Sequence, residues 1–520
     1  MKGHPLRIAD TMAKIENLQG WKYDKFNGWF TTSVTSAFLL RAYGCDRTKK
    51  ILNKFFINHA PFKGALVIPK GEKLLPHQPG AIRYCLSRNR SYLRADPGLG
   101  KTICAAIYMN TLNAPRNVSV VPAGLALNTL DEYQKWMPKT SIGILGSNDW
   151  IVPKVLIVPD SIIARPETRD YLRFYNPNVL SIDEVHRYKE ATAGRTKAMF
   201  GYVDRRKQNP IVPGVVDARN LERLLVMSGT PMPNDRPMEL YPLLHKLAPE
   251  YIDFANKDHY GMKYCNGHWN GHGYDYSGAN VKALKELVGR FRSEDENDEE
   301  GFMLRLDKSL LKLPPLSEEL VILGDEMSPT LRNADTRMMN MYSPEDIMKK
   351  MLKKKHNSED DLHLSTYRRL LGMHKVKPSA AYIKDILENT DEKLLLFGYH
   401  IDVIREMEDA LGKYDPLTVT GKTSKSTRHN MVKEFQTNKK KRVFQGNIDA
   451  VGVGLTLTKA NRVVMYEWSW LDTVNRQAID RGHRYGLKHP LLAEFLAFKG
   501  SLDKAMWETN KRKRRITAIV

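Results

Sequence analysis

At 520 residues the chain is too long for one hydrophobic core, and at about 150 residues per domain it calls for roughly three or four units. Hydrophobic residues at 42% and aromatics at 9% exclude a disordered chain, while a net charge of +22 spread along the sequence suits a polyanionic partner, phosphate backbones being the commonest. Cys45, Cys85, Cys104 and Cys265 have neither metal-ligand spacing nor a pairing framework, no signal peptide opens the chain, and no apolar run approaches the ~20 residues that span a bilayer. The expectation is a soluble, intracellular protein, placed in the cytoplasm, or with the nucleoid or in host cytoplasm if the source is microbial or viral.

In chain order, "WKYDKFNGWFTTS" alternates around Asn27-Gly28 and predicts a hairpin before a helical "SAFLLRAYG". From about 70 to 250, apolar bursts end in turn residues: "SYLRA", "NVSVVPAG", "KVLIVPDS", "NVLSIDEVH" and "RLLVMSGTP". Separated by helical stretches, they predict buried parallel strands of a βαβ layer. Residues 251–378 break that rhythm with "CNGHWNGHGYDYSG", the acidic "SEDENDEE" and the basic "KKMLKKKHNSEDD". It returns in "KLLLFGYH", "PLTVTGKT", "KRVFQGN", "NRVVMYEW" and "AEFLAFKG". The predicted fold is α/β: an accessory module over 1–65, a first lobe over 66–250, a helical insertion and linker over 251–378, and a second lobe over 379–520.

"ADPGLGKT" departs from a strict phosphate-binding loop only at Ala95, where the pattern has glycine. An alanine there adds one methyl and forbids only left-handed backbone, so a cradle survives if that position is not left-handed. Ala95, Asp96, Pro97, Gly98, Leu99, Gly100, Lys101 and Thr102 would then surround the phosphates. Backbone N–H groups, a helix N-terminus and the Lys101 charge face the anion, and the Thr102 hydroxyl reaches Mg²⁺. "SIDEVH" sets Asp183 and Glu184 at a strand end, where Asp183 can hold Mg²⁺ through water and Glu184 can orient the attacking water. His186 could relay to the next lobe. Ser228, Gly229 and Thr230 end another strand and can hydrogen-bond to the carboxylate loop, though such residues also simply favour turns. Gln78 in "LLPHQPGA" can pair with the N6/N7 edge of adenine, which would favour ATP.

In "NRQAIDRGHRYG", Gln477, Arg481 and Arg484 are spaced by four and three and are predicted on one helical face, two guanidiniums suiting the charge on a transferring phosphoryl group. Gly452 and Gly454 fall in a loop able to contact nucleotide or nucleic acid. Lys439–Arg442 and Lys511–Arg515 read either as DNA-holding patches or as solvated surface.

These residues and their order resemble the Swi/Snf class of superfamily two helicase-fold ATPases, closest to the HepA-related annealing-helicase branch. "LPHQ", "DPGLGKT", "VVPAGLALNTLDEYQKW", "DEVHRYKEATAGRTKA", "MSGTPMPNDRPMELYPLL", "VTGKTSKSTRHNMVKEFQ", "GVGLTLTKA" and "QAIDRGHRYG" carry the likeness over about residues 72 to 490. "YGMKYCNGHWNGHGYDYSGANVKAL" resembles a segment of the annealing branch itself. In this class an alanine at the Ala95 position is usual. Asp96-Pro97 for Glu-Met, Val451 for Gly, Leu487 for Gln and Leu306 for a second Arg are departures; none removes a catalytic charge, but they bear on lobe coupling. The resemblance implies two RecA-like lobes closing over ATP and Mg²⁺, with Lys101, Asp183, Glu184, Arg481 and Arg484 as the catalytic set. It also implies a monomeric motor moving on duplex or forked DNA to remodel or anneal rather than unwind processively. An ATP-dependent RNA helicase, or a non-catalytic DNA clamp on a degenerate ATPase fold, stands as the alternative. A GTPase or simple kinase is excluded, since neither needs a second lobe with paired arginines.

Overall fold

The computed structural model describes residues 21–24, 28–31, 57, 59–146, 152–203, 211–234, 236–253, 255–293, 301–324, 327–341, 359–448 and 455–517. The expected N-terminal hairpin is present in backbone form: Trp21–Asp24 pairs antiparallel with Gly28–Thr31, Asp24 opposite Gly28. The helical stretch expected after it lies outside the described residues.

Two sheets organise the rest, each with every pairing parallel. In the first, the strands run Arg292–Ser293, Met303–Leu306, Arg90–Ala95, Arg223–Ser228, Val179–Ile182, Asn117–Val121, Val155–Pro159 and Ile142–Ile144 across the sheet. The apolar bursts of the sequence form it because a parallel strand is covered on both faces and cannot alternate with polar residues. Leu224 and Val226 enter one core with Val118, Leu180 and Ile182; Leu225 and Met227 enter the other with Leu93, Val121 and Ile157. The second sheet runs Leu316–Ile322, Leu491–Ala497, Arg462–Met465, Leu394–Gly398, Val443–Asn447 and Leu417–Val419, around a core that includes Leu395, Phe397, Val463 and Phe495. The architecture is that of two RecA-like lobes.

The interval 251–378 supplies helices at Lys257–Tyr264, Val281–Phe291, Pro329–Met341 and the start of Glu359–Asn389. It also feeds both sheets. Met303–Leu306 pairs with Arg90–Ala95, the strand leading into the glycine-rich loop, and Leu316–Ile322 pairs with Leu491–Ala497 along its whole length. The chain therefore passes from the first sheet to the second through residues 307–315. Among the described residues no helix is long and apolar enough to cross a membrane.

Strand order places the site. Arg223–Ser228 lies between Arg90–Ala95 and Val179–Ile182, with Met227 beside Leu93 and Val226 beside Ile182. The loops that follow these three strands emerge side by side at their carboxyl ends, where open α/β sheets bind ligands.

Candidate active site between the lobes

The glycine-rich loop begins where Ala95 ends its strand. Ala95 is buried and is not among the residues with positive φ, so the condition its methyl imposes is met. Left-handed backbone falls instead on Gly98 (φ +92°) and Gly100 (φ +81°), the latter capping the helix Lys101–Leu112. Both also lack room: a Cβ on Gly100 would stand 2.2 Å from Gln78 Nε2, and one on Gly98 3.2 Å from Arg484 Cβ. Lys101 Nζ donates to the Ala95 carbonyl at 2.9 Å, curling back over the loop, and Thr102 follows at the second helical position.

Gln78 is buried against this loop, donating to the Leu99 carbonyl at 3.2 Å and accepting from Leu75 N–H at 2.8 Å. His77 Nε2 shares the same carbonyl at 3.0 Å. The Gln78 amide thus holds backbone on both sides. Asp96 turns away from the cradle: its Oδ2 accepts from Lys308 N–H at 3.1 Å, and its own N–H donates to Leu306. Pro97 lies against Gly229, where an added Cβ would also stand 3.5 Å from Lys101 Nζ.

Asp183 is 8% exposed and accepts from Glu184 N–H at 2.9 Å. Burial, and next the charge of Glu184, raise its carboxyl above the usual range, while Lys101 opposes them. Glu184 sits in left-handed backbone, φ +50°, which a non-glycine residue adopts only when its surroundings impose it. Burial works against its charge too, but the His186 hydrogen bond and the Lys101, His186 and Arg481 charges outweigh it and hold Glu184 low. His186 Nδ1 lies 3.1 Å from Glu184 Oε2, 2.8 Å from Ser228 Oγ and 3.3 Å from Thr230 Oγ1, and Ser228 donates to Glu184 at 3.4 Å. The expected contact between the Ser-Gly-Thr loop and the carboxylate loop is formed. These contacts of His186 all stay in the first lobe.

From the second lobe, Arg481 is 9% exposed, and burial, and next the Arg484 charge, lower its guanidinium to about 10 against the opposing charges of Asp480 and Glu184. Arg484 stacks its Cβ on Gly98 and donates to the Leu455 carbonyl at 3.0 Å. The single helical face expected for Gln477, Arg481 and Arg484 is corrected: the helix Asp472–Ile479 ends before either arginine. The chain turns through Asp480 and Gly482, and Leu457 N–H bonds the Arg481 carbonyl. Gln477 stays on the helix. Gly452 and Gly454 lie outside the described residues.

Three groups that the sequence reading passed over join the parts. Lys308 bonds Asp96 through its backbone and forms an ion pair with Asp480, next to Arg481. Thr473 Oγ1 donates to the Pro233 carbonyl at 2.9 Å, tying the second lobe to the Ser-Gly-Thr segment. Asp160 of "VPDS" is buried and holds Arg187 and Arg195, while accepting from Ala123 N–H. Of the basic runs read either as DNA-holding patches or as solvated surface, several side chains are committed within the protein. Lys441 pairs with Asp415 and Glu434, Arg442 caps the carbonyls of Leu387, Thr390 and Glu392, and Arg514 pairs with Asp472 and Glu318.

The residues fit a nucleotide with a divalent cation. The loop is closed to any side chain at Gly98 and Gly100, and among the described residues Lys101 donates to a backbone carbonyl that a phosphate could replace. Among the described residues no three His, Cys, Asp or Glu side chains gather to cage a metal. One carboxylate with a hydroxyl is the set expected where phosphates complete the shell.

Comparison with known proteins bears on this geometry. The helicase conserved C-terminal domain matches residues 378–486. The SWI/SNF-related matrix-associated actin-dependent regulator of chromatin subfamily A-like protein 1 of Xenopus tropicalis is 29% identical over 460 residues, covering 86% of this chain and 45% of its own length. The DNA annealing helicase and endonuclease ZRANB3 of Mus musculus is 30% identical over 474 residues, covering 86% of this chain and 40% of its own. The chain spans less than half the length of these relatives. A solved structure, the Sulfolobus solfataricus SWI2/SNF2 ATPase core in complex with dsDNA, covers 87% of this chain and 94% of its own at 17% identity, with a TM-score of 0.39.

Proposed function

We propose that this chain, a Swi/Snf-related helicase-fold protein near the annealing helicases, is an ATP-driven motor that moves on duplex or forked DNA and remodels or anneals it. One observation carries the reading: Arg484 of the second lobe packs its Cβ against Gly98 of the glycine-rich loop, and the neighbouring Arg481 charge favours ionised Glu184 in the first lobe. Catalytic charges split between two lobes make turnover depend on their closure, which is what a motor requires.

In this reading the loop N–H groups and Lys101 hold the β- and γ-phosphates. Thr102 and Asp183 would hold Mg²⁺, which neutralises phosphate charge when bound. Glu184, kept ionised by His186 and Lys101, orients the attacking water and accepts its proton as the bond to phosphorus forms. Arg481 meets the charge that spreads over the γ-oxygens, and Arg484, packed on Gly98, fixes the loop against the second lobe. Gln78 positions the loop through Leu99. The DNA phosphate backbone would lie across both lobes, drawn by the net charge of +22.

Steady-state ATP hydrolysis with no nucleic acid, single-stranded DNA, duplex DNA, forked DNA and RNA tests this, with Glu184→Gln as the control. Stimulation by duplex or forked DNA that the control abolishes is expected. Stimulation by RNA alone would make the chain an RNA helicase, and DNA binding without hydrolysis would make it a clamp.

Lys308 gives a second check. Lys308→Met leaves Asp480 unpaired beside Arg481 and is expected to lower kcat roughly ten-fold, while the KM for ATP changes little. Adding Asp480→Leu removes the stranded charge and is expected to restore part of the rate, a coupling on the order of 1 kcal/mol in a double-mutant cycle. Strictly additive losses would show that the pair does not couple the lobes.

A further inference from the structure

The short hairpin His268–Trp269/Tyr274–Asp275 has no part in the site described above. Two residues per strand cannot sustain a hairpin in water, so something else must hold it. At its tip, Asn270 Oδ1 accepts from His272 N–H and Gly273 N–H, each at 3.0 Å. At its base, Asn266 Nδ2 donates to the Ala279 carbonyl at 3.0 Å and Tyr276 Oη donates to Asp258 at 2.8 Å. The Tyr276 ring lies on Gly261 and Gly267, where a Cβ would come within 2.3 Å and 2.8 Å of it. The hairpin is therefore rigid and firmly mounted.

What it presents is unusual for a mounted element. Trp269 is 62% exposed and Tyr274 is 56% exposed. Their rings meet edge to face with centroids 5.4 Å apart, which steadies both, and Tyr274 stacks 6° from parallel with Tyr276 at 6.0 Å. Met262 and Val281, on the two flanking helices, are also exposed. Those helices carry exposed Lys257, Lys263, Lys282 and Lys285. Asp253, which faces Lys263 and Arg290, Asp258, which accepts from Tyr276, Asp275 of the hairpin and exposed Glu286 stand among them, so lysines flank the aromatic pair on a face of mixed charge.

Position completes the picture. Tyr260 Oη, on the supporting helix, donates to the Pro237 carbonyl at 3.0 Å, a few residues past Pro233, which receives Thr473 of the second lobe. The hairpin thus stands on the first-lobe segment that contacts the second lobe.

We infer that the Trp269/Tyr274 hairpin is a stacking platform for unpaired bases of a DNA strand. The inference rests on the DNA-motor reading and adds to it a contact for single-stranded DNA. Every base has a ring face, so aromatic platforms take unpaired strands without sequence preference, while lysines nearby hold the phosphates. A fully paired duplex has its base faces covered and would not engage the platform.

The test uses the full chain and a forked duplex with 2-aminopurine in one unpaired arm. Wild type is expected to change the probe's fluorescence on binding. Trp269→Ala/Tyr274→Ala should abolish that change and weaken affinity for the fork and for single-stranded DNA roughly ten-fold or more. Trp269→Phe should retain most of both. Hydrolysis stimulated by blunt duplex should stay within about two-fold in all variants, which also shows that they fold. An unchanged probe signal in the double variant overturns the inference, as does an equal loss on blunt duplex. Absence of DNA-stimulated hydrolysis in wild type would instead sink the motor reading, so the two failures are distinct.

Discussion

Replacing Lys101 with alanine is expected to lower DNA-stimulated ATP turnover by roughly 10²–10³-fold while leaving DNA affinity nearly unchanged. The ammonium is aimed into the loop by its place at the start of the helix Lys101–Leu112 and rests on the Ala95 carbonyl. Its charge also opposes the upward shift of Asp183 and helps keep Glu184 ionised. Removal therefore acts twice. The phosphates lose a cation, and Asp183 becomes harder to ionise, so the Mg²⁺ concentration needed for half-maximal rate should rise. Nothing in the core depends on the side chain, and the melting temperature should hold. Turnover at the wild-type rate would mean that phosphate is bound elsewhere.

Arg481→Ala is expected to cost more, on the order of 10³–10⁵-fold in kcat, the range seen when an arginine that meets transferring phosphate is removed. The guanidinium is buried, lowered to about 10, and its charge acts on Glu184 from the opposite lobe. It therefore contributes when the lobes are closed and little to first binding of nucleotide. A fluorescent ATP analogue should bind the variant with nearly wild-type affinity. Arg481→Lys should recover little, because an ammonium cannot reproduce the planar fork. A kcat within ten-fold of wild type would remove Arg481 from the site.

The sheets were readable because parallel strands are buried on both faces and stand out as apolar bursts. "NVSVV", "VLIVP", "VLSI" and "RLLVMS" are each a strand of the first lobe. The Ala95 question was answerable from backbone sterics, and left-handed φ falls on the glycines. The arginine face was misread because spacing of four and three presumes a helix, and this one ends at Ile479. Met303–Leu306 and Leu316–Ile322 escaped notice because they flank a polar, irregular interval and acquire their partners from far along the chain. The Lys308–Asp480 pair joins residues 172 positions apart, which no local pattern can announce. Basic runs stay open in the sequence for a related reason: the guanidinium of Arg442 serves three carbonyls of its own lobe, and composition does not distinguish that duty from binding DNA.

The pairing of Met303–Leu306 with Arg90–Ala95 has a consequence for synthesis on the ribosome. The strand that leads into the glycine-rich loop has an open edge until a segment some two hundred residues later has emerged. At about 5–20 residues per second that is a wait of roughly ten to forty seconds. An exposed parallel edge of "SYLRA" is a template for wrong pairing during that interval. The second lobe has the converse problem, since Leu316–Ile322 emerges early and waits for Leu491–Ala497 near the far end of the chain. Neither lobe can finish folding as its first strands appear, so yield in a cell should depend on translation speed and holding chaperones more than the stability of the finished lobes would suggest.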